Sequence, residues 1–165
     1  MKKIFAVCFF MAAWLFYILV IWALSAQSAD ESSSLSHMIA EGFAKFICSF
    51  RPDQTLADVM SLAGYFEHPV RKLAHFTEYG ILGMLFSAVY ISVIGKVRSI
   101  CEGKSAGLYL KNILVVLFLA AVDEIHQFFV PGRYSSFWDV MLDTAGCSFF
   151  LFFMYLIFDR KKTHE

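Results

Sequence analysis

The stretch Val122–Arg133 reads VDEIHQFFVPGR. An apolar run, Ile113–Val122, leads into it, and a second apolar patch, Phe128–Val130, lies near its end. Asp123 and Glu124 therefore stand inside a segment apolar enough to enter a membrane. A charged side chain at the centre of a bilayer costs about 2.5–3.5 kcal/mol on insertion scales. Two adjacent carboxylates persist there only if protein groups, rather than lipid, surround them. The reading of this stretch decides the fold: it is the end of a membrane-spanning helix whose acids need partners from neighbouring spans.

Composition favours the membrane. Of 165 residues, 59% are hydrophobic and 17% charged, against about half apolar in soluble domains. The excess falls in four runs near the ~20 residues that a spanning helix needs: about 4–24, 73–94, 110–130 and 137–158. The first run is 21 residues long and contains Trp14, Tyr17 and Trp22. Ala23-Leu24-Ser25-Ala26 could pass as a signal cleavage site, but that length exceeds an ordinary signal core, so retention as a helix is expected. The expected fold is all-α, a single polytopic domain over 1–165 with four transmembrane helices.

Loop charges orient it. With the N-terminus inside, the inside segments hold Lys2, Lys3, Lys96, Arg98, Lys104, Lys111, Arg160, Lys161 and Lys162, but only Glu102, Asp159 and Glu165 among the acids. That is a positive-inside pattern, with both termini cytoplasmic. The outer loop, 25–72, starts with a serine-rich part read as irregular. Leu35, Met38, Ile39, Phe43, Phe46, Ile47 and Phe50 then recur at helical spacing, with His37, Glu41 and Lys45 between them. This is an amphipathic helix ended by Arg51-Pro52. It either lies on the membrane or caps the bundle. A second short helix is expected from about Asp53 to Phe66, and Pro69 reads as the start of the second span.

Because successive spans alternate in direction, four polar groups reach the same outer level. They are Ser25, Gln27 and Ser28; Arg71, Lys72, His75 and Glu78; Asp123, Glu124, His126 and Gln127; and Asp139 and Asp143. At 3.6 residues per turn, Arg71, His75, Glu78 and Leu82 make one stripe. Asp123, Gln127 and Ala120 make a second with Glu124 beside it, and Asp139, Asp143, Gly146 and Phe150 a third. The stripes are expected to face a common polar cavity. Gly80, Gly83 and Gly146 would allow close helix approach. Arg71 and Lys72 are expected to meet Asp123 and Glu124, with Arg133 folded back over the cavity by the Pro131-Gly132 turn.

The motifs R-K-x-A-H-F-x-E-Y (Arg71–Tyr79), D-E-x-x-Q-x-F-x-P-G-R (Asp123–Arg133) and S-x-x-D-x-x-x-D-x-x-G (Ser136–Gly146), with Ser25-Ala26-Gln27-Ser28, resemble the VanZ-like membrane proteins of bacteria. The resemblance implies a small protein of four or so helices in the bacterial cytoplasmic membrane. It also implies an association with low-level resistance to the glycopeptide teicoplanin. It implies no reaction.

The ligand-binding candidates are Arg71, Lys72, His75, Glu78, Asp123, Glu124, Gln127, Arg133, Asp139 and Asp143. The expected partners are membrane lipids and an anionic lipid or amphiphile. Three readings stay open. In the first, the site binds such a ligand. In the second, it modifies an envelope lipid by acid–base chemistry through His75, Glu78, Asp123 or Glu124. In the third, the ion pairs only hold helices together. Asp139 is equally well explained as part of a capping box with Ser136. His75, Glu78, Asp123 and Asp143 would offer mixed N/O ligands, but no spacing such as H-E-x-x-H exists, so no metal or cofactor is expected. Ser25, Ser28 or Ser136 with His75 as a nucleophile pair finds no motif. His37, His68 and His126 read as loop or surface residues. Cys8, Cys48, Cys101 and Cys147 read as small buried apolar residues. Nothing suggests nucleic acid. Association into a homo-oligomer is left open.

Overall fold

A computed structural model describes residues 1–51, 53, 55–94 and 105–160. Lys96, Arg98, Cys101, Glu102 and Lys104, expected on the inside, lie outside the described residues. So do Pro52, Lys161, Lys162, His164 and Glu165. Five helices account for nearly all the rest: α1 Lys2–Ser25, α2 Ala29–Cys48, α3 Leu56–Ile94, α4 Ser105–Gln127 and α5 Phe137–Arg160. Among the described residues there is no strand, and the chain is all-α.

Among the described residues, three helices are long and apolar enough to cross a membrane: α1, the Leu56–Val93 part of α3, and Phe137–Met154 of α5. At 1.5 Å per residue, the 24 residues of α1 reach ~36 Å, enough for a ~30 Å hydrocarbon core. Helix α4 is not among the three. Its 23 residues carry Lys111, Asp123 and Glu124, and it closes at Gln127 rather than at the expected Val130.

Helix α2 begins earlier than expected. Ser28 caps it: the Ser28 N–H donates to the Glu31 carboxylate at 2.9 Å, and the Glu31 N–H donates to Ser28 Oγ at 3.4 Å. The Ser28 N–H first, and the Ser28 hydroxyl, which donates to the same carboxylate oxygen at 3.0 Å, hold the Glu31 carboxyl below the usual range. The reciprocal capping box makes the serine-rich stretch helical, where composition alone suggested an irregular segment. Helix α2 packs on α3 through the small residues Ser36, Ala40 and Ala44, one turn apart. Its large residues Leu35, Met38, Ile39, Phe43, Phe46 and Ile47, with Phe50 just beyond its end, are exposed. The apolar face therefore does not cap the other helices.

The expected break before Pro69 is absent. Helix α3 runs unbroken for 39 residues, or ~58 Å, with Pro69 inside it. Proline removes one backbone donor and crowds the preceding turn. Here Glu67 and Arg71 straddle it at i and i+4 and pair at 3.0 Å, and Ser33 of α2 donates to the same Glu67 oxygen at 2.6 Å. Tertiary contacts hold both sides of the proline in line. Lys72 and Arg71 consequently sit mid-helix, not at a helix start. Because interior proline costs up to ~3 kcal/mol relative to alanine, Pro69→Ala is expected to raise the unfolding temperature in detergent. No change would place a helix start there instead.

The second half of α3 meets α1, α4 and α5, and the α3–α5 pair is the most extensive. Tyr79, Leu82, Val116, Ala120, Cys147 and Leu151 fill the core with Ile21 of α1. The expected close approach at glycine is found. A side chain at Gly146 would strike the Phe76 backbone, and Gly80 and Gly83 lie against Phe150 and Cys147. These glycines serve packing within the chain. Asn112 of α4 is fully buried and donates to the Gly83 carbonyl at 2.8 Å and Ser87 Oγ at 2.7 Å. It supplies the polar glue between α3 and α4. Of the cysteines, Cys147 is in the core while Cys8 faces outward, against the expectation that both are buried.

Candidate functional site

The end of α1, the end of α4, the start of α5 and the middle of α3 meet at one end of the bundle. Asp123 is 0% exposed. Its Oδ2 accepts from Ser25 Oγ at 2.8 Å and from Gln127 Nε2 at 2.9 Å. Gln127 Nε2 also donates to Ser25 Oγ at 2.8 Å. One hydrogen-bonded triangle thus ties α1 to α4. Asp143, one turn into α5 below Asp139, is 1% exposed. Asp123 Oδ1 and Asp143 Oδ1 meet no hydrogen-bond partner among the described residues.

The carboxylates are not met by the cations expected for them. Arg71 Nη2 donates to Ser33 Oγ at 2.6 Å and Glu67 Oε1 at 3.0 Å. Lys72 pairs with Asp139, which accounts for Asp139 better than the capping role. Glu124 Oε2 accepts the Ser136 N–H at 2.8 Å, so this carboxylate secures the turn into α5. Neutral donors replace cations for a physical reason: serving a buried carboxylate with Ser and Gln avoids desolvating a second charge. Arg133 reaches Asp123 only through an intermediary. Its Nη1 donates to Gln127 Oε1 at 3.2 Å, while the other end of that amide donates to Asp123.

The turn that carries Arg133 is built by local chemistry. Gly132 has φ +75°, and a side chain there would strike Ala29. Only glycine takes that conformation at no steric cost. The Ala29 N–H donates to the Pro131 carbonyl at 3.2 Å, and Arg133 Nε donates to the Gln27 carbonyl at 3.2 Å. The turn is thereby clamped against the α1–α2 junction.

Arg133 faces a small cavity of about 70 Å³ that opens at the bundle surface, lined by Gln27, Leu35, Arg71, His75 and Glu78 among others. Arg71 Nε and His75 Nδ1 are buried and meet no partner among the described residues. His75 Nδ1 stands 3.9 Å from Glu78 Oε2, beyond hydrogen-bond range. No carboxylate pairs with Arg133 among the described residues. Burial first, and the nearby Arg71 charge second, draw the Arg133 guanidinium below its usual pKa. Two cations, Arg71 and Arg133, thus line one open space together with Glu78.

The ten candidate residues thus fall into three groups. Arg71, His75, Glu78 and Arg133 line the open cavity. Asp123, Gln127, Glu124 and Asp143 belong to the closed region beneath and beside it. Lys72 and Asp139 form a separate pair. Ser33 and Glu67 were missed, although Glu67 and Arg71 are legible as an i,i+4 pair. His37 bridges to Glu67 at 3.4 Å, and His126 stacks on Trp22 at 5.8 Å. Neither is a simple surface residue. Among the described residues, no three His, Cys, Asp or Glu side chains are grouped to hold a metal.

Removing the acceptor at the centre of the closed triangle strands Ser25 and Gln127 donors. Asp123→Ala is expected to cost about 1–3 kcal/mol, read as a lower unfolding temperature in detergent. An unchanged temperature would mean that the triangle contributes nothing to stability.

A family model described as VanZ/LLP1 matches residues 6–159. No curated protein and no solved structure matches the chain.

Proposed function

The chain belongs to the VanZ/LLP1 family, and from that premise we propose that it takes up the anionic headgroup of an envelope amphiphile. It does so at the outer face of a bacterial cytoplasmic membrane. The reading has α4 as a fourth span beside the three apolar helices. Its 23 residues reach ~35 Å, and its mid-depth Asn112 is satisfied by α3. Both termini are then cytoplasmic, and the cavity opens outward at the lipid–water boundary.

The observation that carries the proposal is the cavity itself. Arg71 and Arg133 approach it from different elements, and Arg71 Nε and His75 Nδ1 lie beside it without partners. Arg133 and Arg71 hold the anion, His75 adds a hydrogen bond, and Glu78 selects against a second negative charge. The closed triangle of Ser25, Asp123 and Gln127 is structural, since its members bond to one another through Asp123 Oδ2 and hold Arg133 through Gln127. Lys72, Asp139 and Glu124 position α5 and its entry turn.

An envelope protein of this kind lowers exposure of the membrane to lipoglycopeptides, consistent with the teicoplanin phenotype of the family's namesake. Expression in a susceptible bacterium is expected to raise the teicoplanin concentration needed to stop growth. Unchanged susceptibility with the chain present in the membrane would overturn the resistance reading.

A further inference from the structure

We infer that Asp143 holds a proton at neutral pH, and that this buried acid, beside an ionised Asp123, is a proton-binding site at the closed end of the bundle. The inference does not depend on what the cavity binds.

The two sealed aspartates have unlike surroundings. Asp123 is served on Oδ2 by the Ser25 hydroxyl and the Gln127 amide. Through the far end of that amide it is linked to Arg133. Donors and a nearby cation stabilise an ionised carboxylate. Asp143 is buried as deeply. Its Oδ1 meets no donor, and no basic side chain pairs with it among the described residues.

The ionisable groups around Asp143 are acids and a phenol. Helix α4 presents Asp123 and Glu124, α3 presents Glu78 and Tyr79, and Asp139 lies one turn back on α5. His75 of α3 is within reach of Asp123 and Asp139. The cations at this end are turned elsewhere: Arg71 to Glu67, Lys72 to Asp139 and Arg133 to Gln127. A buried carboxylate with neither donor nor cation takes up a proton rather than stay charged. Like charges close by favour the neutral form further.

A metal ion is the other cation that could balance the pair. Hard cations such as calcium take roughly six to eight oxygen ligands. Among the described residues no three His, Cys, Asp or Glu side chains are grouped to hold one. Asp143 Oδ1 is also closed to solvent, so water cannot complete a coordination shell. A proton needs none.

The site lies where the helices are closest. Asp143 is three residues before Gly146, at which α5 packs directly on the Phe76 backbone of α3. Losing the proton sets a further negative charge beside Asp123 and Glu124 at this contact. Proton release is therefore tied to a loosening of α5 against α3 and α4.

The test is infrared spectroscopy of the full chain at neutral pH in a maltoside detergent, which has no carbonyl group of its own. The wild-type chain is expected to show the carbonyl stretch of a protonated carboxylic acid, moving to lower frequency in heavy water. That band is expected to vanish in Asp143→Asn and to shift in Asp143→Glu, which keeps the acid should the amide variant fail to fold. Absence of the band from the wild-type chain would overturn the inference. So would a band that survives Asp143→Asn or is unmoved by Asp143→Glu. Loss of the wild-type band on adding sodium, magnesium or calcium chloride would overturn it as well, because a metal ion would then be the occupant.

Discussion

Arg133→Ala is expected to abolish ligand binding and teicoplanin protection while the protein stays in the membrane at its normal level. The substitution removes a guanidinium that lines the cavity and has no carboxylate partner. A hydrogen bond to a charged group contributes about 1.5–3 kcal/mol, so losing one or two weakens an anion by roughly ten- to ten-thousandfold. The structural loss is smaller. Only the bonds to the Gln27 carbonyl and Gln127 Oε1 disappear, at about 1 kcal/mol each. Gly132, and the Ala29 bond to Pro131, still shape the turn. Arg133→Lys keeps the charge but not the planar fork, and should recover binding only in part. Isothermal titration of the purified variants, beside growth assays normalised to membrane abundance, reads both effects. Full binding by Arg133→Ala would remove the cavity from the account.

The largest effect on folding is expected from Gly146→Val. A side chain at 146 falls on the carbonyl and Cα of Phe76, which are backbone atoms and cannot swing aside. Overpacking by side chains alone costs about 1–3 kcal/mol. Separating the α3 and α5 backbones should reach or exceed the top of that range. Movement here also displaces Asp143, one turn away, and Phe150, which packs on Gly80. The expected result is a collapse of the unfolding temperature in detergent and poor accumulation in the membrane. Gly107→Ala is the control, because a side chain there meets open space. Substituting glycine by alanine at a compatible position stabilises by about 0.4–1 kcal/mol. Similar behaviour of the two variants would contradict the close helix approach.

Much of this arrangement is legible in the sequence. Run lengths disclose the membrane helices, and alternating direction brings Ser25, the His75 region, Asp123 and Asp143 to one end. The glycines at 80, 83 and 146 announce a tight helix pair. What escapes is set by contacts between distant residues. Pro69 looks like a helix start until Ser33, Glu67 and Arg71 join across it. The serine-rich segment looks irregular because composition outweighs the Ser28–Glu31 capping box, which was readable as S-x-x-E. The amphipathic pattern of α2 was legible, but which face meets the protein was not. Small residues form that contact, and the large ones are left outward.

Charge matching failed for a related reason. Arg71, Lys72 and Arg133 are the cations closest in level to Asp123 and Glu124, and pairing by level seems natural. Rotation about each helix axis decides otherwise. Lys72, one residue from Arg71, turns to Asp139, while Arg71 turns to Glu67 on its own helix. The buried aspartate is left to Ser25 and Gln127. Gln127 matters because its amide presents an acceptor to Arg133 and donors to Asp123 at once.

An experimental structure of the chain in lipid nanodiscs containing an anionic lipid tests the central claim most directly. The account requires headgroup density in the cavity against the guanidinium of Arg133, with an anionic oxygen within hydrogen-bond distance of it. A cavity closed by its own side chains, or Arg133 turned away from it with lipid elsewhere, would contradict it.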